Sequence, residues 1–216
     1  MTGSLIDVLL VDEGKPVTGV VFSPNGHFLA AVAGRRLHLW DAIRRRPLVP
    51  ARRPASNRKK RQGNRNGQPH HVVWVNCAAF SPDSSLVAVG GSYEFFDHER
   101  GILYDGNPVH VVTLVDVQSG TPVGDPFADA DGLPFHGGHD EDITHVAFSP
   151  DGTLLTTSSE DGTTWLWDVA TRQPRNAHDG EAQLSNDVTN TALSPDGSMM
   201  AEAGDNGTIR LWSTTR

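Results

Sequence analysis

The sequence is poor in cysteine, since its 216 residues contain only Cys77. A lone cysteine cannot form an intramolecular disulfide, so the fold does not depend on an oxidising compartment. This usage is typical of a cytoplasmic protein, and we expect that location. Cys77 stands in the apolar stretch VNCAAF, which indicates a buried thiol.

Long hydrophobic runs are lacking as well. The most apolar N-terminal stretch is LIDVLLV at 5–11, which is short, is interrupted by Asp7 and follows no positively charged residue. The pattern therefore predicts neither a signal peptide nor a membrane span. The length suits one domain, so we expect a single domain over 1–216.

Acidic residues are missing from Ala42 through Pro82, and ten of the 18 basic residues lie between Arg44 and Arg65. Elsewhere 8 basic residues stand against 26 acidic ones, a balance of −18. This basic stretch has scarcely any large apolar side chain, so it predicts a solvated loop over about 50–70. Its cations could neutralise phosphates on a nucleic acid or an anionic surface. The candidate anion-binding residues are Arg52, Arg53, Arg58, Lys59, Lys60, Arg61 and Arg65.

Motifs that carry chemistry are also absent from the sequence. We find no nucleophile elbow, no phosphate-cradling glycine loop and no zinc-ligand spacing. The basic loop has no aromatic residue on which a base could stack, so nucleic-acid binding is kept as an alternative rather than as the main hypothesis. We predict that the protein is not an enzyme and uses neither a cofactor nor a metal.

What the sequence does contain is a repeated phrase in four copies. An aromatic or leucine residue precedes a Ser-Pro turn each time, in FSPNG at 22–26, FSPDS at 80–84, FSPDG at 148–152 and LSPDG at 193–197. A strand-like ending follows each turn, as LHLWD at 37–41, VTLVD at 112–116, TWLWD at 164–168 and IRLWS at 209–213. Repeats of three or four short strands at this spacing are typical of a β-propeller. We therefore predict an all-β propeller of about four blades.

The third copy shows the unit most clearly. ITHVAF alternates apolar and polar residues, the Ser-Pro-Asp-Gly turn follows, and TLLTTSS reads as a second strand. Glu160, Asp161 and Gly162 form a hairpin turn into a third strand, TTWLWDV.

The repeat boundaries predict where each blade lies. The repeats cover about 17–49, 75–127, 139–175 and 188–213, and the second contains a hairpin insertion at 92–109. The last repeat has no outer strand of its own. We expect the strand-like segment 5–11 to supply it, so that no sheet edge remains open. A remnant of a lost blade is the alternative.

At these residues the chain resembles the WD-repeat (beta-transducin-like) family. The resemblance implies a buried hydrogen-bonded tetrad, which falls on His139, Thr157, Asp161 and Trp167 in the third repeat. It also implies a structural rather than a catalytic role for them. The other repeats depart from the tetrad. The first has Glu13 and Arg35 at the His and Asp positions, and the second has His71 at the matching place but an insertion that disrupts its turn. The fourth has Leu184, Glu202 and Asn206 where the third has His139, Thr157 and Asp161.

The resemblance implies a non-catalytic scaffold that binds other proteins. We expect an acidic rim to receive a basic partner, through the candidate residues Asp140, Glu141, Asp142 and Glu160. Three arrangements stay open: a closed four-bladed ring, an arc that is a truncated fragment of a larger WD-repeat signalling protein, and a homodimer of two arcs that completes a larger ring. An incomplete propeller is the arrangement we favour.

Overall fold

The structure is a computed structural model, and it describes nine stretches of the chain. They are residues 5–9, 14–48, 74–93, 96–97, 102–103, 109–127, 139–175, 188–204 and 207–214. These residues form β-strands, turns and extended links, with no helix among them. Consequently, no described segment is a helix long and apolar enough to cross a bilayer. The predicted all-β class is confirmed.

Four antiparallel sheets of three or four strands make up the fold, and each sheet corresponds to one sequence repeat. We call them blades 1 to 4. Blade 1 contains β1 (Val17–Phe22), β2 (Phe28–Ala33), β3 (Arg36–Asp41) and β4 (Arg46–Pro47). Blade 2 contains β5 (Trp74–Phe80), β6 (Leu86–Tyr93) and β9 (Val109–Asp116), with the hairpin β7 (Phe96–Asp97) and β8 (Ile102–Leu103) inserted between β6 and β9. Blade 3 contains β10 (Ile143–Phe148), β11 (Leu154–Ser159) and β12 (Thr164–Asp168), and blade 4 contains β13 (Val188–Leu193), β14 (Met199–Gly204) and β15 (Ile209–Ser213).

The repeated Ser-Pro turn joins the first two strands of every blade by the same hydrogen bonds. In blade 3 the Ser149 hydroxyl donates to Asp151 Oδ1 at 2.6 Å, and the Leu154 N–H donates back to Ser149 Oγ at 2.8 Å. Gly152 takes a φ of 74°, which glycine adopts without steric cost. The hydroxyl that donates to Asp151 also lowers the pKa of this carboxyl, so the turn stays charged at neutral pH. Because these bonds are local, each repeat can form its own turn.

The blades pack face to face in chain order. Blade 1 places Ala30, Val32 and Leu39 against Phe80 and Val87 of blade 2 in one apolar cluster. A second cluster joins blade 2 to blade 3. It contains Ala88, Val112, Leu114, Ile143, Val146, Leu155 and Trp167. Blade 3 meets blade 4 through hydroxyls, since Ser158 Oγ lies 3.3 Å from Thr191 Oγ1.

The expected strand at 5–11 is not formed over residues 5–9, which have no regular secondary structure and are mostly exposed. Blade 4 has three strands in the described part of the chain, so the prediction that segment 5–11 closes this blade is wrong for those residues. The other blades take their outer edge from the chain that directly follows their third strand. Pro47 pairs with Trp40, Pro122 with Val115, and Pro174 with Trp167. A local segment is favoured over a distant one because it needs no long loop closure.

Candidate functional site

Blade 3 contains a buried polar chain that involves all four residues of the expected tetrad. Trp167 Nε1–H donates to Thr157 Oγ1 at 2.9 Å, and His139 Nε2 lies 2.7 Å from the same oxygen. On its other side, His139 Nδ1 lies 2.7 Å from Thr163 Oγ1 and 3.6 Å from Asp161 Oδ2. The structure therefore brings the four residues together and adds Thr163 to them.

One assignment of the hydrogen-bond directions satisfies every group in the network. Thr157 Oγ1 accepts the indole N–H of Trp167, and its own single proton then goes to His139 Nε2. The imidazole proton consequently sits on Nδ1 and points towards Thr163 Oγ1. In this arrangement both ring nitrogens and the indole N–H are satisfied, which a buried polar network requires.

The ionisation of the network is fixed by burial and by these bonds. Burial lowers the pKa of His139 and outweighs the opposing effect of Asp161, so the imidazole is neutral at pH 7. Burial also opposes ionisation of Asp161, but the nearby His139 ring and the hydrogen bonds from Thr163 and the backbone N–H of Asp140 hold its pKa well below the usual range. Asp161 is thus a carboxylate beside a neutral histidine.

Asp161 also connects the buried network to the surface loop that precedes β10. Its Oδ2 accepts the Asp140 N–H at 2.7 Å, and its Oδ1 accepts the Thr163 N–H at 2.7 Å. The Glu160 N–H donates to the carbonyl of Asp142 at 3.0 Å. These bonds hold the loop 140–142 against the hairpin turn between β11 and β12, so acids from two separate stretches become neighbours.

A cavity of about 600 Å³ lies at the start of the first strands of blades 1, 2 and 3, which are β1, β5 and β10. Blade 3 contributes Asp142 and Glu160 to its wall, blade 2 contributes Asn76, and Lys15 and Arg35 come from the blade 1 side. The wall therefore carries acids at one end and bases at the other. The amide Nδ2 of Asn76 is buried without a hydrogen-bond partner in the described part of the chain.

The polar lining arises from a β-bulge that recurs at the start of the first strand of each blade. The register shifts at Thr18 in blade 1, Asn76 in blade 2 and Thr144 in blade 3, and all three residues line the cavity. A bulge gives the strand one unpaired residue, which can turn its side chain away from the ladder. The hydroxyls of Thr18 and Thr144 donate to backbone carbonyls in the second strand of the same blade, at 3.3 and 3.2 Å.

Two contacts position the charged groups around the cavity. His110 Nδ1 of blade 2 lies 3.1 Å from Asp142 Oδ1. The guanidinium of Arg35 lies 5.1 Å from the ring centre of Trp74, a cation–π distance, and the Arg35 carbonyl accepts the Val75 N–H at 2.9 Å. Arg35 has a φ of 62°, an uncommon backbone conformation for a residue other than glycine.

Only two of the four residues predicted to form an acidic rim line the cavity. Asp142 and Glu160 line the cavity, whereas Asp140 and Glu141 are exposed outside it. Sequence reasoning missed Lys15, Arg35 and Asn76 as cavity residues. The sequence gives little indication of these three residues. Only Arg35 stands at a notable repeat position, since it occupies in the first repeat the turn position that Asp161 occupies in the third.

The remaining candidate residues fall into two groups. In blade 4 the fully buried Glu202 takes the place of Thr157, and its Oε2 accepts the Trp212 indole N–H at 2.8 Å. The seven candidate anion-binding residues between Arg52 and Arg65 lie outside the described residues, as do Glu13, His71, Leu184 and Asn206. Among the residues that are described, no three His, Cys, Asp or Glu side chains are grouped closely enough to hold a metal ion.

Four-stranded or three-stranded antiparallel blades, packed face to face in chain order, define a β-propeller fold. The family model described as "WD domain, G-beta repeat" matches residues 5–41, 65–95, 133–168 and 175–213. These matches cover most of the chain, and the chain belongs to this family.

Similar proteins include several WD-repeat chains of greater length. The chain is 27% identical over 151 residues to the serine-threonine kinase receptor-associated protein of Dictyostelium discoideum. The aligned region covers 70% of this chain and 36% of that protein. It is 28% identical over 117 residues to the target of rapamycin complex subunit wat1 of Schizosaccharomyces pombe, covering 54% of this chain and 29% of that protein. The chain thus spans about a third of the length of these relatives.

Among solved structures, the computationally designed Ika4 protein has the same fold. The match has a TM-score of 0.60 at 20% identity and covers 98% of this chain and 100% of that chain. The likeness therefore extends over the whole of that chain.

Proposed function

We propose that the protein is a non-catalytic interaction module and that the cavity between blades 1 and 3 receives a segment of a partner protein. The observation that carries the proposal is the pairing of Asp142 and Glu160 in one wall of a cavity of about 600 Å³. WD-repeat relatives include a subunit of the target of rapamycin complex, which is in keeping with a scaffold role. We further propose that it acts in the cytoplasm, in keeping with its single cysteine.

The charges of the wall select the chemistry of the partner. Asp142 and Glu160 favour a lysine or arginine side chain, while Lys15 and Arg35 at the other end favour a carboxylate. A segment with a basic and an acidic residue close together fits this wall better than a purely basic one.

The buried network supports a structural role for the residues that most resemble catalytic groups. His139 and Thr157 are both buried, and each is already hydrogen-bonded within the blade. A base and a hydroxyl that bind each other and are closed off from solvent cannot reach an external substrate. Their contribution to function is to hold the loop that presents Asp142.

Binding by selected peptides tests the proposal. A random-peptide phage library is panned on the purified chain, and selected peptides are measured against Asp142→Asn/Glu160→Gln and against the matched control Asp140→Asn/Glu141→Gln. Both variants remove the same charge, but only the first alters the cavity wall. We expect selected peptides with adjacent basic and acidic residues that bind the first variant roughly tenfold more weakly, because partly exposed charge pairs contribute about 1 kcal/mol.

Two results would count against this site. Peptides that lose equal affinity for both double variants would indicate general attraction to the acidic surface. Peptides unaffected by either variant would place the interaction elsewhere on the molecule.

Binding of nucleic acid through 44–65 is the second candidate, and the segregation of ten basic residues into that stretch favours it. It predicts binding of a DNA duplex that weakens steeply with salt and disappears when residues 51–68 are deleted. A role within a longer WD-repeat signalling protein is a third proposal, in keeping with relatives that are about three times longer.

A further inference from the structure

The two terminal blades each expose one apolar face. On blade 1 the face that carries Val20, Phe22 and Trp40 lies opposite the face packed on blade 2. On blade 4 the face that carries Ile209 and Leu211 lies opposite the one that meets blade 3. Phe22 is 62% exposed and Leu211 is 69% exposed, so the two faces do not bury each other.

The same repeat positions are buried wherever a neighbouring blade is present. Leu211 corresponds to Leu39, Leu114 and Leu166, which are all at most 5% exposed. Each of these leucines stands at the same place in its third strand, two residues before the strand-ending aspartate or serine. The exposure of Leu211 therefore comes from the missing neighbour and not from a different kind of side chain.

Blade 1 shows the complementary case. Phe22 corresponds to Phe80, which is buried against blade 1 with 7% exposure, and Val20 corresponds to Val146, which is buried against blade 2. Single exposed apolar residues are ordinary on a protein surface, but a contiguous face with the composition of an interior interface is not.

The two exposed faces are the two halves of one kind of interface. At the junctions of blade 1 with blade 2 and of blade 2 with blade 3, the face that contains the leucine of the third strand meets the face that contains the aromatic residue before the Ser-Pro turn. Blade 1 joins blade 2 in this way through Leu39 and Phe80. Blade 4 exposes the leucine face through Leu211, and blade 1 exposes the aromatic face through Phe22.

We propose that these faces are covered by a second copy of this chain. Blade 4 of each copy packs its Leu211 face on the Phe22 face of blade 1 of its partner. Two such contacts close two four-bladed arcs into one ring of eight blades, which lies within the four to eight blades of known propellers. A second copy is favoured because it presents both complementary faces at once, and closure leaves neither exposed. This inference is independent of the peptide site proposed above.

The test is the solution mass of the full chain by light scattering behind a sizing column, at several concentrations. The wild-type chain should have twice its monomer mass of 23.3 kDa. Phe22→Asp and Leu211→Asp should each give the monomer mass, because each damages both contacts of a homodimer. The matched control is Ile43→Asp, since Ile43 is as exposed as Leu211 but lies in a turn.

Mixing the two monomeric variants gives the sharpest outcome. A mixed dimer has one contact with both wild-type faces and one contact that carries both aspartates. We expect an equimolar mixture to recover dimer that neither variant forms alone, and recovery also shows that both variants are folded.

Four outcomes would overturn the proposal. They are a wild-type monomer at all concentrations, a wild-type assembly larger than a dimer, a dimer that Leu211→Asp leaves intact, and a mixture that remains monomeric. The serine variants Phe22→Ser and Leu211→Ser repeat the test if an aspartate variant fails to fold. A cavity variant such as Asp142→Asn/Glu160→Gln should leave the dimer mass unchanged, so the two proposals can fail separately.

Discussion

Replacing Thr157 with valine should destabilise the protein far more than an ordinary buried Thr→Val change. Valine has nearly the shape of threonine, so the substitution removes the hydroxyl and little else. Thr157 Oγ1 is the partner of both the Trp167 indole N–H and His139 Nε2, at 2.9 and 2.7 Å. All three residues are buried, so no solvent can replace the missing oxygen.

The expected cost follows from the two groups left without a partner. A buried polar group that loses its hydrogen bond costs about 1–3 kcal/mol, so two such groups cost roughly 2–6 kcal/mol. This is a large share of the roughly 5–15 kcal/mol that stabilises a typical domain. Urea unfolding, followed by tryptophan fluorescence and by far-UV circular dichroism, measures the change in the free energy of unfolding.

The neighbouring residue Thr156 provides the matched control. It is equally buried, but its hydroxyl makes only long contacts, 3.3 Å to the Ala147 carbonyl and 3.5 Å to Thr191 Oγ1. Thr156→Val should therefore cost about 1 kcal/mol or less. If Thr157→Val cost no more than Thr156→Val, the argument that the hydroxyl holds the network together would be refuted.

Two further predictions concern pH and packing. Because burial lowers the pKa of His139 below its ordinary 6.5, the unfolded chain binds a proton that the folded chain does not, and stability should fall as pH drops below about 6.5. The variant His139→Asn, although less stable at pH 7.5, should show a flatter dependence between pH 6.5 and 5 in urea unfolding; an unchanged slope would assign the effect to other groups. Gly90→Ala should cost about 1–3 kcal/mol in the same assay, since the new Cβ would lie 2.6 Å from Cys77 Sγ. Gly19→Ala, whose Cβ would meet nothing closer than 3.9 Å, should be nearly neutral by comparison, and equal costs would rule out the steric explanation.

Features that depend on short stretches of chain could be predicted from the sequence. The Ser-Pro turn uses bonds between residues at most five apart, such as Leu154 N–H to Ser149 Oγ, so the local phrase is enough to specify it. The strand before it alternates apolar and polar residues because one face is buried against the previous blade. The four repeats and the all-β class followed from these signals.

The network around His139 was predicted only in part. The resemblance to the WD-repeat family pointed to Thr157, Asp161 and Trp167. The structure places Thr157 Oγ1 2.9 Å from Trp167 Nε1 and 2.7 Å from His139 Nε2, and Asp161 Oδ2 lies 3.6 Å from His139 Nδ1. Thr163 was missed, since a threonine after a turn has many other uses and nothing in its local sequence marks it as a partner of His139.

The cavity and the chain termini were decided by tertiary packing. Asp142, Asn76 and Arg35 come from three blades, and no local pattern relates them until the blades pack in order. The segment 5–11 has a strand-like sequence, but a strand forms only where a sheet edge accepts its hydrogen bonds, and residues 5–9 pair with none. Alternation and turn chemistry act over a few residues and therefore determined the repeat unit, whereas the cavity and the exposed terminal faces depend on how whole blades meet, which only the tertiary structure decided.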